Sequence, residues 1–274
     1  FSTGAGRTTC AYYFPRGDRI LYSSTHLAGS ECAAEPDRSR GYVWPLYDYE
    51  IFTSRADGSD LRRLTTNAGY DAEATISPDA RRIIFTSLRD GDLDLYVMDS
   101  AGNDLGRLTT EVGYDGGAFF SPDGSKIVYR AHHPTDSTDL ADYRGLLAAG
   151  LVRPTRVEIM VMDADGGNRR RLTDSGKASF APFFHPDGRR IIFSSNMHDP
   201  AGRSFSLYMI DVDGTNLVRL THDQSFDGFP MFSPDGRLLV FASSRGAREP
   251  GEINLFIAEW ADAPTRQAPV TEAP

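Results

Sequence analysis

Three aspartates recur seven residues before the proline of a repeated tight turn: Asp71, Asp115 and Asp227. Tyr70 and Tyr114 precede the first two. Carboxylates gathered in a ring could bind a cation or the Lys or Arg side chain of a partner. The alternative is structural, with each aspartate accepting backbone N–H bonds at the start of its strand. Both interpretations stay open at this stage.

A second candidate group consists of four histidines at or just past the ends of predicted strands: His26, His132, His133 and His198. Several imidazoles, with Asp71, Glu73 or Asp115 nearby, could hold Mn²⁺, Zn²⁺ or a similar ion. The alternative is that they are ordinary polar loop residues in different repeats, too far apart to share one ion. The expected cofactor is therefore none, with a divalent metal ion as the alternative.

Motifs of known catalytic machinery do not accompany these residues. The sequence has no G-x-S-x-G, no H-E-x-x-H and no phosphate-binding glycine loop. Asp163–Asn168 reads D-A-D-G-G-N, like the start of a calcium loop, but the twelfth position is Asp174 and not glutamate. We interpret that segment as a turn between strands.

The elements that must position these residues are repeats. Phe232–Phe241 reads F-S-P-D-G-R-L-L-V-F, in which a Pro-Asp-Gly turn joins two apolar strands. Related segments are Tyr13–Tyr22, Ile76–Phe85, Phe120–Tyr129 and Phe184–Phe193. In chain order, each of the first four segments is followed by a second hairpin that ends in Arg-Leu-Thr. Such four-stranded units cannot bury both faces alone, and stacking them radially gives an all-β fold, the β-propeller.

The motifs S-P-D-G, L-Y-x-M-D-x-D-G and R-L-T together resemble the repeat of the TolB-type propellers of the bacterial periplasm. The resemblance covers roughly residues 1 to 260 and implies a six-bladed, extracytoplasmic propeller, periplasmic or secreted. Such propellers bind a protein or peptide partner or accompany an enzyme. The repeats also resemble those of oligogalacturonate lyases, propellers whose metal is held chiefly by histidines. A metal-dependent lyase or hydrolase is therefore the alternative function.

Five blades are predicted, over residues about 8–66, 71–110, 115–174, 178–222 and 226–260. We interpret residues 1–3 as the stub of an upstream blade and residues 261–274 as a flexible tail. This favours five blades from a six-bladed parent, with a closed five-bladed ring as the alternative. One repeat position carries large aromatic residues that should be buried between neighbouring blades: Phe85, Tyr129, Phe193 and Phe241.

Two long insertions, Thr25–Asp48 and Ala131–Arg156, fall between the second and third strands of their blades. Both therefore lie on one end of the disc, here called the elaborated face, where binding residues are expected. Apolar residues at helical spacing in the second insertion predict a short helix over the channel mouth. The predicted binding residues are Trp44, Tyr47, Tyr70, Asp71, Glu73, Arg89, Tyr114, Asp115, Asp227 and Arg245.

Composition limits the class of partner. The net charge is −9 and the pI is about 5.1, with no basic stripe, which argues against nucleic-acid binding. Apolar runs stay well short of the roughly 20 residues of a membrane span. A protein or peptide partner is expected, and association with a membrane complex stays open.

The two cysteines, Cys10 and Cys32, are predicted to form a disulfide. Both lie in the first blade, near the elaborated face, and their bond would close a loop of 21 intervening residues. A disulfide would agree with an oxidising, extracytoplasmic compartment. The alternative is a pair of reduced thiols.

Overall fold

The structure is a computed structural model that describes residues 4–32, 34–37, 39 and 41–261. The predicted N-terminal stub (1–3) and nearly all of the predicted flexible tail (262–274) lie outside the described residues. The expectation of a six-bladed parent therefore stays a prediction.

The chain folds into short strands and one helix. The first eleven strands are β1 (Thr8–Tyr13), β2 (Arg19–Ser24), β3 (Trp44–Pro45), β4 (Glu50–Arg55), β5 (Arg62–Arg63), β6 (Asp71–Ile76), β7 (Arg82–Ser87), β8 (Asp94–Asp99), β9 (Gly106–Arg107), β10 (Tyr114–Phe120) and β11 (Lys126–His132). The helix and the remaining strands are α1 (Ser137–Leu147), β12 (Leu151–Val152), β13 (Glu158–Asp163), β14 (Arg170–Arg171), β15 (Ser179–Phe184), β16 (Arg190–Ser195), β17 (Ser206–Asp211), β18 (Val218–Arg219), β19 (Asp227–Phe232), β20 (Leu238–Ser243) and β21 (Asn254–Glu259).

The strands pair into five antiparallel blades, as the repeats predict. Their strand orders are β1-β2-β4-β5, β6-β7-β8-β9, β10-β11-β13-β14, β15-β16-β17-β18 and β19-β20-β21. The first four blades have four strands, and the described part of the fifth has three. The all-β propeller architecture is confirmed. The first strand of each blade packs against the first strand of the next, which makes these five strands the innermost ones.

The repeated turns close as their residues dictate. In blade 3 the Gly124 amide donates to the Ser121 carbonyl at 2.8 Å, and the Ser121 hydroxyl donates to Asp123 at 2.6 Å. Gly124 adopts φ +72°, the left-handed conformation that favours glycine. Ala80 takes φ +60° at the same position in blade 2, so the turn tolerates a Cβ there.

Large aromatic side chains fill the space between blades. Phe85, Tyr129, Phe193 and Phe241 are all buried, as predicted. Phe193, for example, packs with Val128 and Ile159 of the preceding blade. Each side chain contributes on the order of 2–3 kcal/mol by burial, so these contacts carry much of the stability of the propeller.

The two insertions meet in a small sheet of their own. Strands β3 and β12 pair antiparallel, with Trp44 opposite Val152. The predicted helix is present as α1, capped by the Asp136 carboxylate at the amides of Thr138 and Asp139. Tyr143 of α1 donates to the Gly113 carbonyl at 2.7 Å, so the helix packs beside blades 2 and 3. The first insertion, and not the helix, reaches the channel.

Candidate functional site

A β-bulge in each innermost strand turns one residue toward the propeller axis. The pairing register shifts at the same point in all five strands. The residue at each bulge lies five positions before the turn proline and has a positive φ: Cys10 (53°), Glu73 (58°), Gly117 (61°), Ala181 (50°) and Phe229 (53°). These five residues, here called the bulge ring, all line one cavity. The repeated backbone therefore presents five different side chains to one space.

The cavity has a volume of about 570 Å³ and lies at the elaborated face. The first insertion provides part of its wall through Trp44, Pro45 and Tyr47, and Tyr49, just after the insertion, also lines it. Tyr49 also contacts Tyr70 edge-on, with ring centroids 6.0 Å apart. The mouth is thus covered by aromatic side chains, which can bury an apolar group and still offer a hydroxyl at the edge.

One wall of the cavity is polar and comes from blades 1 to 3. Arg130, in β11, donates to the Glu73 carboxylate and, at 2.5 Å, to the Tyr114 hydroxyl. Glu73 also accepts the Gly117 amide and the Thr86 hydroxyl, each at 2.9 Å. Because Gly117 has no Cβ, the guanidinium can lie against it; a Cβ there would overlap Nη1 of Arg130.

Arg130 is a buried cation, with 8 % of its side chain exposed. Burial alone would lower its pKa, but the charge of Glu73 and the adjacent Tyr114 raise it, so the guanidinium stays charged. It lies 5.1 Å from the Trp44 ring centroid, within cation–π range. Its Nε is buried without a hydrogen-bond partner among the described residues.

The opposite wall is apolar and comes from blades 4 and 5. Its side chains are Phe180, Pro182, Phe229, Pro230 and Met231. The rings of Phe180 and Phe229 meet edge-on at 5.5 Å. Phe229 is 56 % exposed, so a large apolar ring faces open space at the mouth. The cavity therefore has one half that offers hydrogen bonds and one half that is apolar.

The floor closes the channel below the bulge ring. The ring of Tyr12 packs edge-on against Phe119 at 5.3 Å, and Phe119 packs against Phe183 at 5.2 Å. The Tyr12 hydroxyl contacts the Met231 sulfur at 3.4 Å. Burial raises the pKa of Tyr12, which therefore stays neutral. A ligand can enter the mouth but meets side chains at this depth.

The predicted acidic mouth is corrected by the structure, because all three aspartates are buried inside their blades. Asp71 accepts from Ser87 at 2.5 Å and from Arg89 at 3.1 Å. Asp227 pairs with Arg245 at 2.8 Å. Side-chain donors hold these carboxylates, which are too buried to reach a partner's cation. Burial raises the pKa of Asp71, while Ser87 and Arg89 oppose that shift.

The partner of each aspartate stands eighteen residues further along the chain. Arg89 and Arg245, predicted as binding residues, fill that position in blades 2 and 5 and lie over aromatic rings of their own blades. His133 fills it in blade 3, 3.1 Å from Asp115. Burial would lower the pKa of His133, but the hydrogen bond and charge of Asp115, with Glu111, raise it.

The remaining predicted binding residues are brought together. Trp44, Tyr47, Tyr70 and Glu73 line the cavity, and Tyr114 stands directly behind Glu73. The Tyr70 hydroxyl has no hydrogen-bond partner among the described residues, and burial raises its pKa well above the usual value. Tyr70 is therefore a neutral hydroxyl at the wall of the cavity.

The four candidate metal-ligating histidines contact four different sets of neighbours. His26 bonds Ser24 at 2.9 Å, His132 lies 3.3 Å from Asp139, and His133 pairs with Asp115. His198 packs near the Tyr208 ring. Within the residues that the structure describes, no group of three or more His, Cys, Asp or Glu could hold a metal ion.

The predicted disulfide is absent, because Cys10 and Cys32 are free thiols. Cys10 stands at the bulge of β1 and faces the cavity, with its sulfur 3.3 Å from the Thr9 hydroxyl. Cys32 is exposed on the first insertion, with its sulfur 3.5 Å from the Gly6 carbonyl. A disulfide needs the two sulfurs about 2.05 Å apart, and these side chains lie in different surroundings.

Three further residues line the cavity without having been predicted as binding residues: Arg130, Phe229 and Cys10. A signal for Arg130 was present, since the corresponding residues of the other blades are serine, threonine or alanine. When only one repeat has a charged residue at a buried position, that residue is a candidate for a binding role. The bulge ring had a weaker signal, its constant spacing from the turn proline.

The fold belongs to the β-propeller class, since its antiparallel blades surround a central channel. The cavity lies at the elaborated face. Within that class, the sequence model described as TolB beta propeller domain matches residues 46–143 and 153–250. The match covers more than half of the chain, which therefore belongs to the TolB β-propeller domain family. A search of curated proteins found no match.

Solved structures share the fold at low sequence identity. Putative TolB from Agrobacterium tumefaciens aligns with a TM-score of 0.64 and 20 % identity, over 92 % of this chain and 77 % of that one. TolB from Acinetobacter baumannii gives the same score and identity, over 92 % and 52 %. Oligogalacturonate lyase from Vibrio parahaemolyticus gives 0.58 and 15 %, over 90 % and 61 %. At these identities the likeness concerns the fold alone.

Among the described residues, none of the helical structure is long and apolar enough to cross a bilayer.

Proposed function

We propose that this propeller is an extracytoplasmic binding module that recognises a protein or peptide partner in the cavity of its elaborated face. The observation that carries the proposal is the two-sided cavity, with aromatic cover at its mouth. Its volume of about 570 Å³ is within the usual range of ligand pockets. A pocket of this size admits a few residues of a partner chain.

The chemistry of the two walls favours a peptide over a purely apolar ligand. Five N–H donors belong to each guanidinium, and Arg130 has two acceptors among the described residues, Glu73 and Tyr114. Donors of Arg130 and the Tyr70 hydroxyl are thus available to a carbonyl of the ligand. The apolar wall offers Phe180 and Phe229 to a neighbouring side chain. An extended peptide presents both groups within one residue.

Selection of peptides from a displayed library on the immobilised full chain tests the proposal. We expect selected peptides to bind Phe229→Ala at least about tenfold more weakly, because a central aromatic contact is lost. Arg237→Ala, in the Pro-Asp-Gly turn of blade 5 at the end of the disc opposite the elaborated face, is the matched control. This variant should bind as the unchanged chain does. Equal affinity for both variants would show that the peptides do not bind in the cavity. Failure to select any peptide would count against a peptide partner.

The extracytoplasmic location rests on membership of the TolB family, since the disulfide that would have supported it is absent. We infer that the protein acts in the periplasm or outside the cell, in association with an envelope or membrane-associated complex. Fractionation of cells that express the natural gene product, with cytoplasmic and periplasmic marker proteins, tests this part. Recovery with the cytoplasmic marker would contradict it.

The metal-dependent alternative has its own test. The four histidines have separate partners, so no observation in the described residues favours that alternative over binding. Elemental analysis of purified protein, with and without prior chelator treatment, should find no stoichiometric transition metal. One bound equivalent that the chelator removes would show that binding of a partner is not the full account.

A further inference from the structure

The charged side chains that line the cavity give it a local positive charge in an otherwise acidic protein. They are two arginines and one glutamate, Arg7, Arg130 and Glu73, whereas the whole chain has a net charge of −9. Arg7 lies over the Tyr47 ring, 5.0 Å from its centroid, and pairs with Glu35, which is 69 % exposed and is not part of the cavity wall. A negatively charged group of a ligand is therefore favoured over a positively charged one.

The one carboxylate among the described residues of the cavity wall has its oxygens occupied. Glu73 accepts hydrogen bonds from Arg130, the Thr86 hydroxyl, the Tyr114 hydroxyl and the Gly117 amide. These donors fill the roughly four lone-pair sites of a carboxylate. Glu73 therefore cannot accept from an ammonium group, such as the N-terminus of a peptide, unless one of these bonds breaks.

Arg130 has the opposite imbalance, with more donors than acceptors. Its Nη2 group donates to Glu73 and Tyr114. Neither Nε nor Nη1 has an acceptor among the residues that the structure describes, and Nε is buried. A donor that is left unpaired in a buried place is costly, so a ligand oxygen that accepts from Arg130 is stabilised there. Carboxylate oxygens form the strongest bonds of this kind with a guanidinium.

The cavity is closed at its inner end, which limits the part of a partner that can enter. Tyr12 and Phe119 close the channel below the bulge ring, so a chain cannot thread through it. The volume of about 570 Å³ holds a few residues of a single strand. An internal segment would have to enter and leave by the same mouth, whereas a chain end needs only to enter. A chain end is therefore favoured, and of the two ends only the C-terminus has a carboxylate.

We propose that the cavity recognises the C-terminal carboxylate of the partner chain and that Arg130 binds it. Nη1 of Arg130 donates to a carboxylate oxygen, and the Trp44 ring, 5.1 Å from the guanidinium, shields this bond from water on one side. The last side chain of the partner lies against Phe180 and Phe229, so an apolar terminal residue is preferred. Recognition of a terminal carboxylate rests on the proposed function, because it names the part of the peptide that the cavity binds.

Paired peptide libraries test the proposal. N-acetylated tetrapeptides of mixed sequence are synthesised once as C-terminal acids and once as C-terminal amides, and the peptides that the full chain retains are identified by mass spectrometry. The tightest sequence is then measured in both forms by isothermal titration calorimetry. We expect it to end in an apolar residue, and to bind about ten- to hundredfold more tightly as the acid, because the amide loses a hydrogen bond between two charged groups.

Two variants assign the difference to Arg130. Glu73→Leu combined with Arg130→Met removes both charges of the polar wall, and the acid and the amide should bind this double variant within about threefold of each other. Arg248→Met is the matched control, since it removes an exposed arginine of the loop between β20 and β21, on the elaborated face but outside the cavity wall. The control should keep the full preference for the acid. A single cooperative thermal transition shows that the double variant is folded.

The outcomes separate this proposal from the proposed function. Equal affinity of the unchanged chain for the acid and the amide would overturn recognition of the C-terminus and leave peptide binding intact. Retention of amides that carry Asp or Glu would assign the carboxylate to a side chain and would also overturn it. A preference for the acid that persists in the double variant would mean that Arg130 does not bind the carboxylate. If neither library is retained, the proposed function itself fails.

Discussion

The two walls of the cavity share one backbone and differ in almost every side chain. Each wall is built from a bulged strand with a residue at positive φ, but blades 2 and 3 present Glu73 and Gly117, whereas blades 4 and 5 present Ala181 and Phe229. On the first side the glycine makes room for Arg130 and the carboxylate neutralises it. The repeat therefore determines where side chains meet, and single substitutions within it determine what they can bind.

The largest effect should come from the polar wall. Glu73→Ala leaves Arg130 buried and unpaired, and we expect it to lower the free energy of unfolding by about 3–5 kcal/mol. Urea denaturation measures this. The double variant Glu73→Leu, Arg130→Met should recover most of the loss, because it removes both charges together. A double variant as unstable as Glu73→Ala would mean that packing, and not the charge pair, matters at this wall.

A smaller effect should separate the two walls at their bulges. Gly117→Ala places a Cβ against Arg130, and we expect a loss of about 1–3 kcal/mol from this crowding. Ala181→Gly, at the corresponding bulge of the apolar wall, relieves a positive φ of 50° and should cost nothing or gain up to about 1 kcal/mol. Thermal or urea unfolding of the two variants gives the comparison, and effects of equal size and sign would contradict it.

His133, which pairs with Asp115 in blade 3, allows a test by pH. Its pKa is raised in the folded protein, so its contribution is fully present below the unfolded value of about 6.5. That contribution is lost as the pH rises through the folded pKa. We expect the destabilisation by His133→Gln to be larger at pH 6 than at pH 8.5. Met197 holds the same position in blade 4, and Met197→Leu should show no such dependence.

The smallest effect on stability should come from the apolar wall. The ring of Phe229 is half exposed, so Phe229→Ala should change the free energy of unfolding by less than about 1 kcal/mol. The same variant is expected to weaken peptide binding, so its two readouts should diverge. A loss of stability comparable to that of Glu73→Ala would make Phe229 a structural residue.

The sequence predicted the fold well, and the reason is the repeat. Turn chemistry and strand alternation recur in every blade, so Phe85, Tyr129, Phe193 and Phe241 could be assigned to the interior from one pattern. The candidate site could be predicted less completely from the sequence. The repeat also placed Asp71, Asp115 and Asp227 at equivalent positions, but it contained no information on which of them would be neutralised by a residue eighteen positions away. The bulge that turns Cys10 toward the cavity depends on backbone register, which spacing alone does not determine.

The small sheet between β3 and β12 has a consequence for how the propeller unfolds. In a repeat array each unit normally couples only to its neighbours, so local unfolding can spread from either end one repeat at a time. Here a strand from blade 1 pairs with a strand from blade 3 and passes over blade 2. The pairing adds a coupling between second neighbours. Blades 1 to 3 should therefore open together as a single cooperative unit, with blades 4 and 5 free to fray separately.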